Sequence, residues 1–282
     1  MHQILKQIAA TLTLLCLSLC AAAQQPSDSC AGNRPVTGAY TIGLGGRKAC
    51  ARYLSPVSYN GFELSLSGFW TKALPFAPHR AMMAFEGDIS LSPGLLNPRG
   101  TASMQGVDAE FDWNMQAYWR LPHNLTVSVG GGVELEAGAL ALLRNSNNPV
   151  ALNIAASIGA AASLSWRTRI SHLPILASLR LRTPLTGAFF MPGYGETYYE
   201  IYVGNHSGLA HFAWPGNRRK IHLSAGFAMD FGRTAMEIGY SLDAIRANAN
   251  NLVYNSVSNA FTISVIPGGL GIKRKCGGIR PF

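Results

Sequence analysis

The stretch LTVSVGGGVELEA, residues 125–137, alternates apolar and polar side chains with a period of two. Successive side chains of a β-strand point to opposite faces, so Val127, Val129 and Leu135 share one face while Glu134 and Glu136 share the other. A strand with one apolar and one charged face predicts a sheet that is dry on one side and wet on the other.

Ten further stretches of the chain show this alternation. The GRT sequence at 232–234 joins two of them with opposed phases, which is typical of a tight hairpin. The clear runs are 111–121, 152–166, 221–231 and 236–242, and the weaker runs are 37–46, 61–71, 81–91, 174–185, 197–206 and 259–266.

Alternating strands occur in two architectures, the soluble β-sandwich and the membrane β-barrel. The barrel is favoured because strands of about 9–11 residues suit a tilted membrane crossing, and several runs reach that length. The aromatic residues Phe69, Trp119, Trp166 and Phe231 lie near strand ends, as in interfacial girdles. We predict an all-β fold, a single transmembrane antiparallel β-barrel. Because closed barrels prefer an even strand number, eleven runs predict about 12 strands, with 10 to 14 allowed.

The N-terminus has the order of a cleaved secretory signal peptide. Lys6 is its basic element, residues 8–19 are mostly apolar, and three alanines end at Ala23. We therefore predict a signal peptide at 1–23, an N-terminal extension at 24–35 and an outer-membrane β-barrel domain at 36–282. The expected location is the outer membrane of a Gram-negative bacterium.

Three cysteines remain after the predicted cleavage, namely Cys30, Cys50 and Cys276. An oxidising compartment would allow one disulfide, and Cys30 with Cys50 would close a short loop, although Cys276 could compete for either. No CxxC pair or Cys/His cluster is present in the sequence, so we expect no metal and no cofactor.

The formal net charge is +9. Basic residues gather at 218–220, where a loop is expected, and at 273–275 near the C-terminus. Such clusters can meet anionic lipid headgroups or acidic polysaccharide, although solvated loop charge is the simpler interpretation. No nucleic-acid partner is expected for an exported chain without a binding motif.

The charged faces of the predicted strands would line the interior of the barrel. Opposite charges from neighbouring strands can pair there and fill a narrow lumen, which is a better interpretation of the i, i+2 acid pairs than catalysis. We therefore predict no catalytic residue. The predicted lumen charges are Glu86, Asp88, Asp112, Arg120, Glu134, Glu136, Arg167, Arg180, Arg182, Glu200, His206, His222, Asp230 and Glu237.

The stretch GYGETYYEIYVGNHSG, residues 193–208, contains the residue types of a hydrolase. If 197–206 is a strand, His206 and Ser207 lie on opposite faces and cannot form a nucleophile–base pair. Ser224 or Ser241 from another strand could still serve His206 or His222. We predict that the stretch is part of the barrel wall.

Three segments resemble a known family. They are RYLSPVSYNG at 52–61, RNSNNPVALN at 144–153 and the stretch at 193–208. They are similar to an uncharacterised family of outer-membrane proteins of Bacteroidetes-type bacteria, the domain of unknown function 3316. The resemblance implies an outer-membrane barrel over nearly all of the mature chain and implies no activity.

The expected function is that of a non-enzymatic narrow pore, conduit or surface scaffold. The alternatives are a membrane-embedded lipid acyl hydrolase and a secreted glycan-binding β-sandwich. The expected partners are outer-membrane lipid, the barrel assembly machinery during insertion, and a small solute or lipid ligand. The oligomeric state is left open.

Overall fold

A computed structural model describes residues 37–74, 77, 80–145, 148–170, 173–204 and 208–270. The signal peptide at 1–23 and the extension at 24–35 lie outside these residues. So do Cys30 and Cys276, and the disulfide with the half-buried Cys50 therefore stays a prediction.

The described chain folds into one closed antiparallel sheet. Every barrel strand pairs with two neighbours, and the sheet closes where β1 pairs with β11. The short strand β8 pairs only with the end of β7, at 187–190, whereas β9 pairs with its first half, at 175–182. The strands are β1 Thr37–Ala51, β2 Tyr59–Ala73, β3 Ala81–Leu96, β4 Ser103–Leu121, β5 Leu125–Ala141, β6 Val150–Ile170, β7 Leu173–Phe190, β8 Ala210–Ala213, β9 Arg218–Asp230, β10 Thr234–Ala249 and β11 Leu252–Pro267.

The barrel therefore has ten strands and one short extra strand in its described part. Ten lies within the predicted range of 10 to 14, whereas the central estimate of about twelve is not confirmed. One of the eleven alternating runs, 197–206, is not a strand. It lies in the connection between β7 and β8, where helix α1 spans Tyr198–Tyr202. The Thr197 hydroxyl accepts a hydrogen bond from the Glu200 amide at 3.2 Å, and the Glu200 carboxylate accepts one from the Thr197 amide at 2.8 Å. This reciprocal capping box starts a helix and overrides the alternation.

The two ends of the barrel differ. The start of β1 and the end of β11 lie at one end, which we call the turn end, where β2 leads to β3, β4 to β5, β6 to β7 and β9 to β10. At the other end, which we call the loop end, β1 leads to β2, β3 to β4, β5 to β6, β7 to β8 and β9, and β10 to β11 through the tight turn at 250–251. In the described chain no helix is long and apolar enough to cross a bilayer.

Apolar side chains cover the outside of the barrel. Phe261 is 75% exposed, Phe227 64% and Ile158 59%. Their strand neighbours on the opposite face are small or polar and point into the lumen. A β-sandwich would instead bury these apolar rows between two sheets, so the sandwich alternative is wrong. Phe69, predicted in a girdle, also faces inward, with the Arg180 guanidinium 4.2 Å from its ring centre.

Two apolar clusters occupy the interior near the two ends. The larger, at the loop end, includes Leu95, Met104, Leu140, Phe189 and Tyr254, all buried. The smaller, at the turn end, comprises Leu176, Ala228, Ala235, Ile266 and Leu270. The charged side chains lie between them, so the fold positions a polar layer between two apolar ones.

Candidate functional site

Lys220 on β9 is the centre of the charged layer. Its ammonium lies 2.5 Å from a carboxylate oxygen of Glu110, 2.6 Å from one of Glu134 and 3.4 Å from one of Glu136. Lys220 is only 5% exposed. A buried ammonium with three carboxylate partners is well compensated, and it ties β9 to β4 and β5 across the lumen.

Arg182 on β7 extends this network. Its guanidinium lies 3.3 Å from Glu110, 3.5 Å from Asp112 and 3.6 Å from Glu86. Arg218 adds a hydrogen bond of 2.8 Å to Glu136. Because Glu110 is shared by Lys220 and Arg182, the five strands β3, β4, β5, β7 and β9 are joined by one ion-pair network.

A second cluster forms around Arg47, closer to the loop end. Arg47 makes an ion pair with Asp108 and lies 3.5 Å from Glu63. It donates to the Ser256 hydroxyl at 2.9 Å and to the Tyr254 hydroxyl at 3.2 Å. Arg47 therefore connects the charged layer with the apolar cluster that contains Tyr254.

His222 and its partner form the arrangement that most resembles a catalytic site. The His222 Nδ1 atom lies 2.7 Å from Asp243. Within the described chain no hydrogen bond joins His222 to a serine, and the Ser224 hydroxyl is buried without a hydrogen-bond partner. His222 also faces the lumen and not the lipid. The geometry therefore offers the acyl-hydrolase alternative no assembled nucleophile.

The structure brings many of the predicted lumen residues together. Asp88 faces the cavity without an ion pair among the described residues. Asp230 lies at the turn end, where it accepts hydrogen bonds from the amides of Gly232 at 2.7 Å and Leu270 at 3.2 Å. Arg167 is half-buried on β6. The predicted residues that form ion pairs inside the barrel are Glu86, Asp112, Glu134, Glu136, Arg180, Arg182, His222 and Glu237.

Two predicted lumen residues lie elsewhere. Glu200 is exposed and caps helix α1, because the predicted strand 197–206 does not form. Arg120 is exposed at the end of β4, with its guanidinium 5.6 Å from the ring centre of Tyr118. His206 lies outside the described residues.

Sequence reasoning missed several members of the network. The sequence predicts a loop at 218–220, yet Arg218 and Lys220 are both buried on β9 and only Arg219 between them is exposed. The signal was available, since Arg218 and Lys220 continue the alternating face of His222 toward the N-terminus. Extension of the alternating run 111–121 toward the N-terminus likewise places Asp108 and Glu110 on the inner face of β4. The remaining missed residues are Arg47, Glu63 and Asp243.

A polar cavity of about 120 Å³ remains beside the network. The charged side chains of β3, β4, β7 and β9 form one side of it. Small and hydroxyl-bearing residues of β1, β2, β10 and β11 form the other, including Ser65, Ser67, Ser241, Ser258 and Thr262. The hydroxyl-bearing side chains thus face the charged network across the cavity.

The described residues 191–204 and 208–209 of the connection between β7 and β8 lie over the loop end, and we call them the lid. The Tyr53 hydroxyl donates to the Glu196 carbonyl at 2.6 Å, and the Tyr198 hydroxyl accepts from the Leu152 amide at 3.1 Å. The two tyrosine rings pack edge to face at 6.0 Å. Burial, with smaller contributions from Tyr198, Glu196 and Glu200, raises the pKa of Tyr53 to about 12. Burial also raises the pKa of Tyr198.

A closed barrel with an apolar exterior and charges paired inside is a β-barrel of the outer-membrane type. The family model described as "Protein of unknown function (DUF3316)" matches residues 10–275. The chain belongs to this family, as the resemblance implied.

Several solved structures show low similarity to the chain. The beta domain of the Bordetella autotransporter BrkA has a TM-score of 0.42 and 11% identity, covering 83% of this chain and 100% of that one. The Escherichia coli outer membrane protease OmpT has a TM-score of 0.43 and 10% identity, covering 87% and 99%. The translocator domain of NalP from Neisseria meningitidis has a TM-score of 0.34 and 10% identity, covering 93% and 97%. No curated protein matches the chain significantly.

Proposed function

We propose that the protein spans the outer membrane of a Gram-negative bacterium as a closed barrel and acts as a surface scaffold, not as an open pore. The outward apolar rows support the membrane location, because a closed barrel satisfies its backbone hydrogen bonds internally and can face hydrocarbon. The ten barrel strands are 13 to 21 residues long. That is sufficient for a tilted crossing, which needs about 9–11 residues.

The arrangement of the connections supports an orientation. In outer-membrane barrels the short turns face the periplasm and the longer loops face outward. The turn end would then be periplasmic, and the lid would lie on the cell surface. Exposed Tyr194, Tyr199 and Tyr202 would project from the lid, where aromatic side chains can contact lipid headgroups or a partner.

The observation that carries the scaffold proposal is the closure of the lumen. Lys220 and Arg182 bridge opposing strands in its middle, and the loop-end cluster and the lid close it above. A barrel of about eight strands is just wide enough for its side chains to fill. Ten strands enclose a wider interior, which long Arg, Lys and Glu side chains fill except for the cavity of about 120 Å³.

Planar-bilayer recording tests the proposal. The purified protein, inserted in a bilayer whose competence is verified with a porin, should give no stable conductance steps over a wide voltage range. Steps at moderate voltage would contradict the scaffold and favour the pore. Fractionation provides the companion test, since the protein should be found in the outer membrane and should migrate differently on gels before and after boiling. Recovery in a soluble fraction would contradict the membrane location.

Partners and ligands belong to the same proposal. Insertion by the barrel assembly machinery is expected for a protein of this architecture, and outer-membrane lipid would surround its apolar belt. A small solute or lipid ligand would have to enter through the lid or the turn end, because the side wall is a continuous hydrogen-bonded sheet.

A further inference from the structure

The lumen cavity carries an excess of negative charge. Of the side chains that line it, eight are Asp or Glu and four are Arg or Lys, with His222 in addition. This excess contrasts with the whole chain, whose formal net charge is +9. Charges enclosed in a protein are costly unless they are paired, so the excess has to be neutralised by a proton or by a cation.

Asp88 is the cavity carboxylate that this excess leaves without a cationic partner among the described residues. It lies directly opposite Glu110 in the register of β3 and β4, and both side chains point inward. Like charges opposite each other in a sheet are destabilising. Glu110 has Lys220 and Arg182 as partners, whereas Asp88 accepts no hydrogen bond and forms no ion pair among the described residues.

Asp88 is also enclosed and directed into the cavity. It is surrounded by protein, and the accessible surface that it retains faces the cavity. The charges that act on it most strongly are those of Glu110, Asp243 and Glu86, all acidic, and His222 opposes them more weakly. Asp88 is thus an unpartnered carboxylate in a negative field beside open space.

The geometry favours an ammonium group over a directly coordinated metal. Within the described chain no three His, Cys, Asp or Glu side chains are placed to hold a metal ion. The neighbouring acids, by contrast, are already compensated by a primary ammonium, since the Lys220 Nζ atom lies 2.5 to 3.4 Å from three carboxylates. A second ammonium beside Asp88 would repeat an arrangement that this lumen uses.

The size and lining of the cavity limit the ligand. One water needs about 10–15 Å³ of cavity volume. The lumen cavity of about 120 Å³ therefore holds roughly ten waters or a molecule of few heavy atoms. The hydroxyls of Ser67 and Ser241 face the same space and can bond to a polar body. We propose that the cavity binds a small primary amine, with its ammonium on Asp88 and its polar end on the hydroxyl-bearing wall.

Calorimetric titration of the full-length protein in detergent with ethanolamine tests this assignment. The wild type should bind ethanolamine saturably at one site, and D88N should weaken binding at least tenfold. E200Q is the matched control, because Glu200 is an exposed acid on the lid, and it should bind like the wild type. Because the cavity lies inside the barrel, each protein is also refolded with the amine present, so that slow entry cannot conceal binding.

Each outcome of the titration decides the assignment. No saturable heat with either preparation would overturn it. Equal affinity of D88N and wild type would place the site elsewhere. Equal competition by Na⁺ or Mg²⁺ at matched ionic strength would overturn the amine in favour of an inorganic cation, and equal competition by ethylene glycol would show that charge is not recognised. None of these readouts depends on whether the barrel conducts, so they are separate from the test of the scaffold.

Discussion

Replacement of Lys220 by Met removes the ammonium on which three carboxylates converge. Glu136 keeps Arg218 at 2.8 Å, and Glu110 keeps Arg182 at 3.3 Å. Glu134 loses its ion-pair partner at 2.6 Å. The substitution therefore leaves one buried carboxylate without a cation, while the methionine side chain fills a similar volume.

The expected cost follows from that single orphaned charge. Removal of one partner from a buried ion pair destabilises a protein by about 3–5 kcal/mol. We expect K220M to lower the free energy of unfolding by this amount, as measured by equilibrium denaturation in lipid vesicles with the gel shift on boiling as the readout. K48M is the matched control, because Lys48 is exposed on the outer face of β1, and it should change stability by less than about 0.5 kcal/mol.

A double mutant separates the ion pair from general packing effects. K220M/E134Q removes the orphaned charge, so it should be more stable than K220M alone, and the cycle should give a coupling energy within about 0.5–3 kcal/mol. A loss below about 1 kcal/mol for K220M, or a double mutant no more stable than K220M, would refute the account of Lys220 as the centre of the network.

Three further predictions concern the lid and the wall. In Y53F the lid loses the hydrogen bond to the Glu196 carbonyl. The free energy of lid opening, measured by hydrogen exchange, should therefore fall by about 1 kcal/mol. The pKa of Tyr53 is about 12 in the folded protein, against an ordinary value of about 10. The stabilisation of the lid by Tyr53 should therefore be intact below pH about 10 and lost as the pH rises to about 12. This pH-dependent loss should be absent in Y53F. T197A removes the N-cap hydrogen bond of α1, so the free energy of opening measured by hydrogen exchange of the helix amides should fall by about 1 kcal/mol. The global free energy of unfolding should stay the same, and a decrease in it would contradict a local role. G45A places a methyl on the backbone of β11 at the closing seam and should abolish the heat-dependent gel shift, whereas G87A, with nothing within 4 Å of the added methyl, should keep it.

The sequence predicts the wall of this barrel better than its ends. Alternation depends only on which face each residue occupies, so Val127, Glu134 and Glu136 could be placed on their faces without knowledge of their neighbours. Strand number was overestimated because the alternation at 197–206 is also compatible with a capped helical turn. The Thr197–Glu200 spacing is the local signal that distinguishes the two.

The pairing of charges could not be obtained from the sequence in the same way. Alternation indicates that Arg182 and Lys220 face inward, yet their partners on β3, β4 and β5 are set by strand register and by the curvature of the closed sheet. Arg47 was overlooked because β1 is otherwise rich in glycine and small residues. The unpaired state of Asp88 likewise depends on which side chains reach it across the lumen.

Spin labelling of the outer face tests the central claim, that the apolar rows contact hydrocarbon. Labels at Val257, Phe261 and Ile263 on β11, each exposed on the outside of the barrel, should collide more with oxygen than with a water-soluble nickel chelate in lipid vesicles. A label at Tyr202 on the lid should show the reverse preference. Greater collision with the nickel chelate at the three β11 positions would show that these rows face water, and it would contradict the membrane-spanning barrel.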